Sequence, residues 1–176
     1  MRLIKKSPEV FLAEGPITAI GAAEIDVIKS ALAPSPKGRV RINAHLNDDD
    51  PLHEMFIAFL PGSYLQPHMH PSKTESFHLV HGAVDIVVFE EDGRLRQVVP
   101  LGAGDPSKAF YYRMSKPFFH TLLIRSDLLV IHEITNGPFN PSETVYAPFA
   151  PPASDTAAAA AYQAALTKRV DELKGA

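Results

Sequence analysis

Gly62-Ser-Tyr-Leu-Gln-Pro-His68-Met-His70-Pro-Ser-Lys-Thr-Glu75-Ser-Phe-His-Leu-Val-His-Gly82 is the stretch whose reading decides the fold. His68 and His70 are two residues apart, so on a strand both imidazoles leave the same face. Glu75 follows across a short turn, 71–74, and the next strand can bring it back beside them. Apolar, strand-like stretches lie on both sides. Imidazole and carboxylate donors suit a divalent first-row transition metal: Zn, Fe, Ni or Mn. The chain has no cysteine, which excludes zinc–thiolate sites, thiolate catalysis and disulfides.

Outward from this cluster the pattern is that of many short strands. Val10–Ala13 precedes a Gly15-Pro16 turn. Ile25, Ile28 and Leu32 recur at helical spacing and predict a helix over about 22–33, stopped by Pro34 and Pro36. Residues 39–45 alternate, with Arg39, Arg41, Asn43 and His45 on one face and Val40, Ile42 and Ala44 on the other. Further strands are expected at about 55–60, 64–69, 75–81, 83–90, 94–99, 109–114, 118–125 and 127–135. Such spacing argues for a sandwich or small barrel. A proline-rich segment follows, and Ser154–Lys174 reads as a helix. Ser154 or Asp155 would cap it, and Tyr162, Leu166, Val170 and Leu173 would form its apolar stripe.

The expected organisation is a single globular domain. Residues 1–38 form an N-terminal extension with a short helix, 39–140 a barrel, and 141–176 a proline-rich segment with a C-terminal helix. A net charge of −3 gives no electrostatic case for nucleic acid. No apolar run reaches the ~18 residues of a membrane span, and no h-region follows the basic start. A cytoplasmic protein is expected, without membrane or nucleic-acid partners.

The spacing Gly-x5-His-x-His-x4-Glu-x6-Gly from Gly62 to Gly82 matches the first cupin motif at every position. The resemblance implies a mostly β cupin jelly-roll barrel with a metal in its mouth, here with an N-terminal and a C-terminal helix. It also implies a fourth ligand on a later strand. His120 is the preferred position and His132 the fallback, although of the second cupin motif only the histidine survives. Beyond the superfamily, Arg41-x-Asn43-x-His45, Asp49-Asp50-Pro51-Leu52-His53-Glu54-Met55, Lys73-x-Glu75-Ser76-Phe77-His78 and Gly137-Pro138-Phe139 resemble the WbuC-type cupin metalloproteins. That similarity runs from about residue 8 to 150. Several members of that family are associated with surface polysaccharide gene clusters; the resemblance implies fold and metal and no particular substrate.

The expected metal ligands are therefore His68, His70, Glu75 and His120. His45 and Tyr111 are candidates for proton transfer. Arg41, Asn43, Lys73 and Arg113 are candidates for holding a small-molecule ligand. Pattern alone leaves open whether the Arg39–His45 face points into the barrel or outward. His53 and Glu54 are a weaker acid–base pair at a strand start. By alternation His78 leaves the strand face opposite to Glu75, and at most one of His132 and Glu133 points inward. The expected activity is metal-dependent isomerase or epimerase chemistry on a small polar molecule. An Fe- or Mn-dependent dioxygenase and a non-catalytic binding cupin are the alternatives. Terminal segments beyond the needs of one jelly roll suggest a homodimer.

Overall fold

The computed structural model describes residues 1–175. The strands run β1 (Leu3–Ser7), β2 (Val10–Ala13), β3 (Arg39–Asn43), β4 (Leu52–Phe59), β5 (His68–Met69), β6 (Glu75–His81), β7 (Ala83–Phe89), β8 (Leu95–Gly102), β9 (Tyr111–Met114), β10 (Phe119–Ile124), β11 (Leu129–Asn136) and β12 (Val145–Tyr146). Helix α1 (Ala22–Leu32) precedes β3, and α2 (Thr156–Gly175) ends the described chain. Two sheets result, β1-β2-β3-β4-β11-β6-β9 and β12-β5-β10-β7-β8.

The apolar faces of the two sheets meet. Met55, Ile57 and Phe59 of β4, Ile131 of β11 and Phe77 of β6 pack against Val84, Ile86 and Leu122 from the smaller sheet. Alternation along the strands makes this possible, because inward residues are mostly apolar except near one end, the mouth of the barrel. Strand β3 differs, with Arg39, Arg41 and Asn43 on the face it shares with Phe59, Ile57 and Met55.

Each helix covers one outer sheet face. Ile25, Ile28 and Leu32 of α1 lie on Val40, Ile42, Ala58 and Val130, so the helical spacing in the sequence is the packed stripe. Helix α2 starts where Asp155 Oδ1 accepts from Ala158 N–H (3.0 Å), satisfying a first-turn donor. Its Leu166 and Val170 bury against Val87, Phe89 and Leu123 of its own sheet. The stripe ends earlier than expected: Leu173 is exposed and Ala159 is buried instead. Lys174 and Arg125 both bind the buried Asp85, each at 2.6 Å, tying the end of α2 to the smaller sheet.

Two short strands, β1 and β12, were not expected. The expected strand at 64–69 shrinks to His68–Met69. Pro67 has no N–H to donate, although its carbonyl accepts from Ala147 N–H (2.8 Å).

Gly82 links β6 to β7 with φ +87°. A Cβ there would run into the Leu128 carbonyl and Ser126 Oγ. Gly82→Ala therefore combines a left-handed backbone cost of about 1–2 kcal/mol with a collision against backbone that cannot swing away. A loss of more than about 2 kcal/mol is expected, read as a lower urea midpoint at unchanged slope.

Candidate metal and ligand site

At the mouth, β5 and β10 pair so that His68 stands directly opposite His120. Residues opposite each other on antiparallel strands share a face, so both rings point inward. The ring centroids are 4.7 Å apart. His70, one residue beyond β5, lies with its centroid 5.0 Å from that of His68. The carboxylate arrives from the facing sheet: Glu75 begins β6, opposite Thr135 of β11 and Met114 of β9. The site is thus closed sheet to sheet, with imidazoles on one side and the carboxylate on the other.

His120 Nε2 lies 3.2 Å from Glu75 Oε1, and His70 Nε2 lies 3.8 Å from Glu75 Oε2. Yet Glu75 Oε1 is buried and makes no hydrogen bond. The atoms are close without being aligned on one another. Among the described residues, the donors do not form an already assembled coordination group. The 3.2 Å separation of His120 and Glu75 nevertheless fits one, and the 3.8 Å separation of His70 and Glu75 lies a few tenths of an ångström beyond it. Two donors at bond lengths of roughly 2.1 Å stand about 3.0 Å apart at a right angle and about 3.4 Å apart at the tetrahedral angle.

The second donor on each ring strengthens that fit. His68 Nδ1 is 2.9 Å from the Gln66 carbonyl, His120 Nδ1 is 3.0 Å from the Phe118 carbonyl, and His70 Nδ1 is 3.4 Å from the Glu143 carbonyl. A carbonyl can only accept, so each Nδ1 carries the proton and each Nε2 presents a lone pair. A backbone carbonyl behind each ring is the usual support of a metal-binding histidine.

Electrostatics keep three of the four donors, His68, His70 and Glu75, in ligating form. Burial, then the His120 charge, pushes His68 down to about 4, and burial also lowers His70. Burial would raise Glu75, but the charges of His120, His68 and His70 outweigh it and hold the carboxyl below its ordinary value. His120 responds in the opposite sense: burial would lower it, and Glu75 outweighs that and raises it.

Strand register decides the face left open by the sequence. Arg39, Arg41 and Asn43 stand opposite Phe59, Ile57 and Met55, which face the core. They point into the barrel. Arg41 lines both an inner cavity of about 130 Å³ around the metal donors and an outer cavity of about 190 Å³. The outer cavity also takes Asn43, His45, Lys73 and His53. His45 and His53 stack face to face, with centroids 4.0 Å apart and planes within 3°. His45 Nδ1 is held by the Glu54 backbone, 3.2 Å from its N–H and 3.1 Å from its carbonyl. Lys73 Nζ donates to the Pro138 carbonyl (3.2 Å) and pairs with Glu143 (3.5 Å). At Gly137 an added Cβ would lie 2.8 Å from His53 Nε2, so the Gly137-Pro138-Phe139 segment closes against that ring.

Two candidates need correction. Tyr111 stands opposite His78 on the outer sheet face, is 46% exposed, and donates to Ser76 Oγ (3.3 Å). Arg113 shares that outer face, is exposed, and donates to Ser115 Oγ (3.2 Å). The inward residues of this strand are Met114 and Tyr112, and the buried Tyr112 hydroxyl has no partner and is pushed up by burial and then by the Glu75 charge. His132, the fallback ligand, is also outside: it stacks on Phe56 and approaches Glu54 at 3.4 Å.

The inward partner of His132 is Glu133, which sequence reasoning did not select. It lines both cavities. Burial, then the Glu75 charge, pushes its carboxyl up to about 8, against the pull of Arg41 and His120. Alternation already limited the choice to one of the pair. Only the pairing of β11 with β4 and β6 decides which one, and no local signal carries it.

A family model described as a domain of unknown function (DUF6016) matches residues 20–101. No curated protein matches the sequence. Among solved structures, CapF bound to the inhibitor 3-isopropenyl-tropolone aligns with TM-score 0.51 at 16% identity, covering 64% of this chain and 32% of that one. A mutant of Bacillus subtilis oxalate decarboxylase OxdC aligns with TM-score 0.51 at 17% identity, covering 64% and 29%. The fold is a cupin fold. Recombinant oxalate oxidase in complex with glycolate aligns with TM-score 0.47 at 16% identity, covering 64% of this chain and 57% of that one. The cupin matches share architecture with this chain, and the aligned part falls short of two thirds of their own lengths.

Proposed function

We propose that this chain is a metal-dependent cupin that moves a proton on a small polar, sugar-related molecule, in isomerase or epimerase fashion. The observation that carries the reading is that the lone-pair-bearing Nε2 atoms of His120 and His70 lie 3.2 and 3.8 Å from one buried carboxylate with an orphaned oxygen, with the His68 ring packed beside both of theirs. His68, His70, Glu75 and His120 would hold the ion, whose chemistry when bound is to polarise a carbonyl or hydroxyl oxygen. The rest falls to the chain's own groups. Glu133 lines the space beside the donors, and a carboxyl raised to about 8 can give or take a proton near neutral pH. Arg41 and Asn43 would orient the substrate. The resemblance of the Arg41-to-Phe139 motifs to WbuC-type proteins supports a place in surface polysaccharide assembly.

Elemental analysis of purified protein should find about one equivalent of a divalent first-row metal. Metal-loaded protein incubated in D2O with a panel of sugars should wash deuterium into a carbon-bound position of at least one of them, seen by NMR. Metal-free protein from a metal-replete preparation overturns the reading. Oxygen uptake without deuterium exchange replaces it with a dioxygenase.

A further inference from the structure

The outer cavity contains more unpaired polar atoms than a folded interior normally tolerates. Asn43 Oδ1, His53 Nε2, Thr135 Oγ1 and Arg41 Nε are all buried, and none has a hydrogen-bond partner. Asn43 and His53 are each only 4% exposed, and all four residues line this one space. Each such atom is costly when left unpaired, so four in one cavity point to partners that a ligand brings.

The kinds of atom define the ligand. Arg41 is half-buried with its Nε fully buried, and no carboxylate oxygen of the described residues lies within 4.0 Å of its guanidinium. Asp48 and Glu133 line the same cavity but stay beyond that distance. A guanidinium partly withdrawn from water, with its Nε buried and no anion beside it, calls for a carboxylate. Asn43 Oδ1 can only accept, which calls for a donor such as a hydroxyl, and Thr135 Oγ1 can do either. A cavity of about 190 Å³ holds roughly six waters at ~30 Å³ each, enough for a molecule of a few carbons.

We propose that the outer cavity is a subsite for a hydroxy acid, with the substrate's carboxylate on Arg41 and its neighbouring hydroxyls on Asn43, Thr135 and His53. This deepens the function proposed above and rests on the same mouth being a substrate site. It narrows the sugar-related class to acids, and it assigns their recognition to the chain's own side chains.

Three molecules with one carbon skeleton separate the terms: glycerate, glycerol and propionate. Calorimetric titration of the full chain is expected to show glycerate binding at least about ten-fold more tightly than either of the others, because buried polar groups reject analogues that leave them unpaired. Arg41→Gln should erase the preference over glycerol, and Asn43→Ala should erase much of the preference over propionate. The matched trio on unsubstituted protein decides the matter even where a variant folds poorly. The same titrations on chelator-treated protein should keep the preference. Equal binding of glycerate and glycerol, no binding of any of the three, or a preference present only in metal-loaded protein would each overturn the subsite. Absence of metal with the preference intact would instead sink the metal reading and leave the subsite standing.

Discussion

Protein carrying His68→Ala together with His70→Ala is expected to purify with less than about a tenth of an equivalent of divalent metal, against about one for the unsubstituted chain. The two remaining donors, Glu75 and His120, already lie 3.2 Å from one another and bring opposite charge when His120 is protonated. Without the other two imidazoles that pair has no reason to open around an ion. The single variants should be graded. His68 is fixed in the β5 ladder opposite His120, with a 2.9 Å bond behind its ring. His70 lies past the strand end, with a longer 3.4 Å contact to Glu143. His68→Ala should therefore cost more metal affinity than His70→Ala, by about ten-fold or more, the scale on which support behind a ligand matters. The control is a urea midpoint for the double variant close to that of chelator-treated unsubstituted protein. Unchanged metal content in the double variant would refute the ligand assignment.

The parts of this site that could be read from sequence are those set by local geometry. His68, His70 and Glu75 lie within one strand–turn–strand, so period-two alternation and a short turn suffice to bring them together. His120 was reachable by chain order and the cupin resemblance. Alternation along β3 divided Arg41 and Asn43 from Val40 and Ile42 correctly, but a strand with two distinct faces does not declare which is inward. Charged residues normally face water, and here α1 covers the apolar face and leaves the arginines to the barrel interior. Glu133 and the Tyr111/Tyr112 choice failed for a related reason. A one-residue slip in register exchanges every side chain between faces. The partners that fix the register, β4 for β11 and β6 for β9, lie tens of residues away in sequence. The stacking of His53 on His45 required the same long-range information, since it depends on β3 lying beside β4.

Acid should destabilise the metal-free protein mainly between pH 6.5 and about 4, and His68 is the residue to which that loss is assigned. Its folded value is held at about 4 by burial and then by the His120 charge, below the ordinary 6.5. As pH falls through 6.5 the unfolded chain takes up a proton that the folded chain refuses. The stabilisation is therefore complete above 6.5 and lost progressively down to about 4, by about 3 kcal/mol at ~1.4 kcal/mol for each pH unit of displacement. His70, also lowered by burial, contributes in the same direction. His120 opposes them. Its folded value is raised because Glu75 outweighs burial, so its contribution is full below 6.5 and fades as pH rises through the folded value. Replacing one histidine separates these terms. Chelator-treated His68→Gln should lose markedly less stability than the unsubstituted chain over the same interval, measured as urea midpoints at pH 6.5, 5.5 and 4.5. Parallel midpoint curves for the two proteins would mean that the His68 ring takes up its proton as easily folded as unfolded. The buried, lone-pair-bearing imidazole on which the site is built would then be wrong.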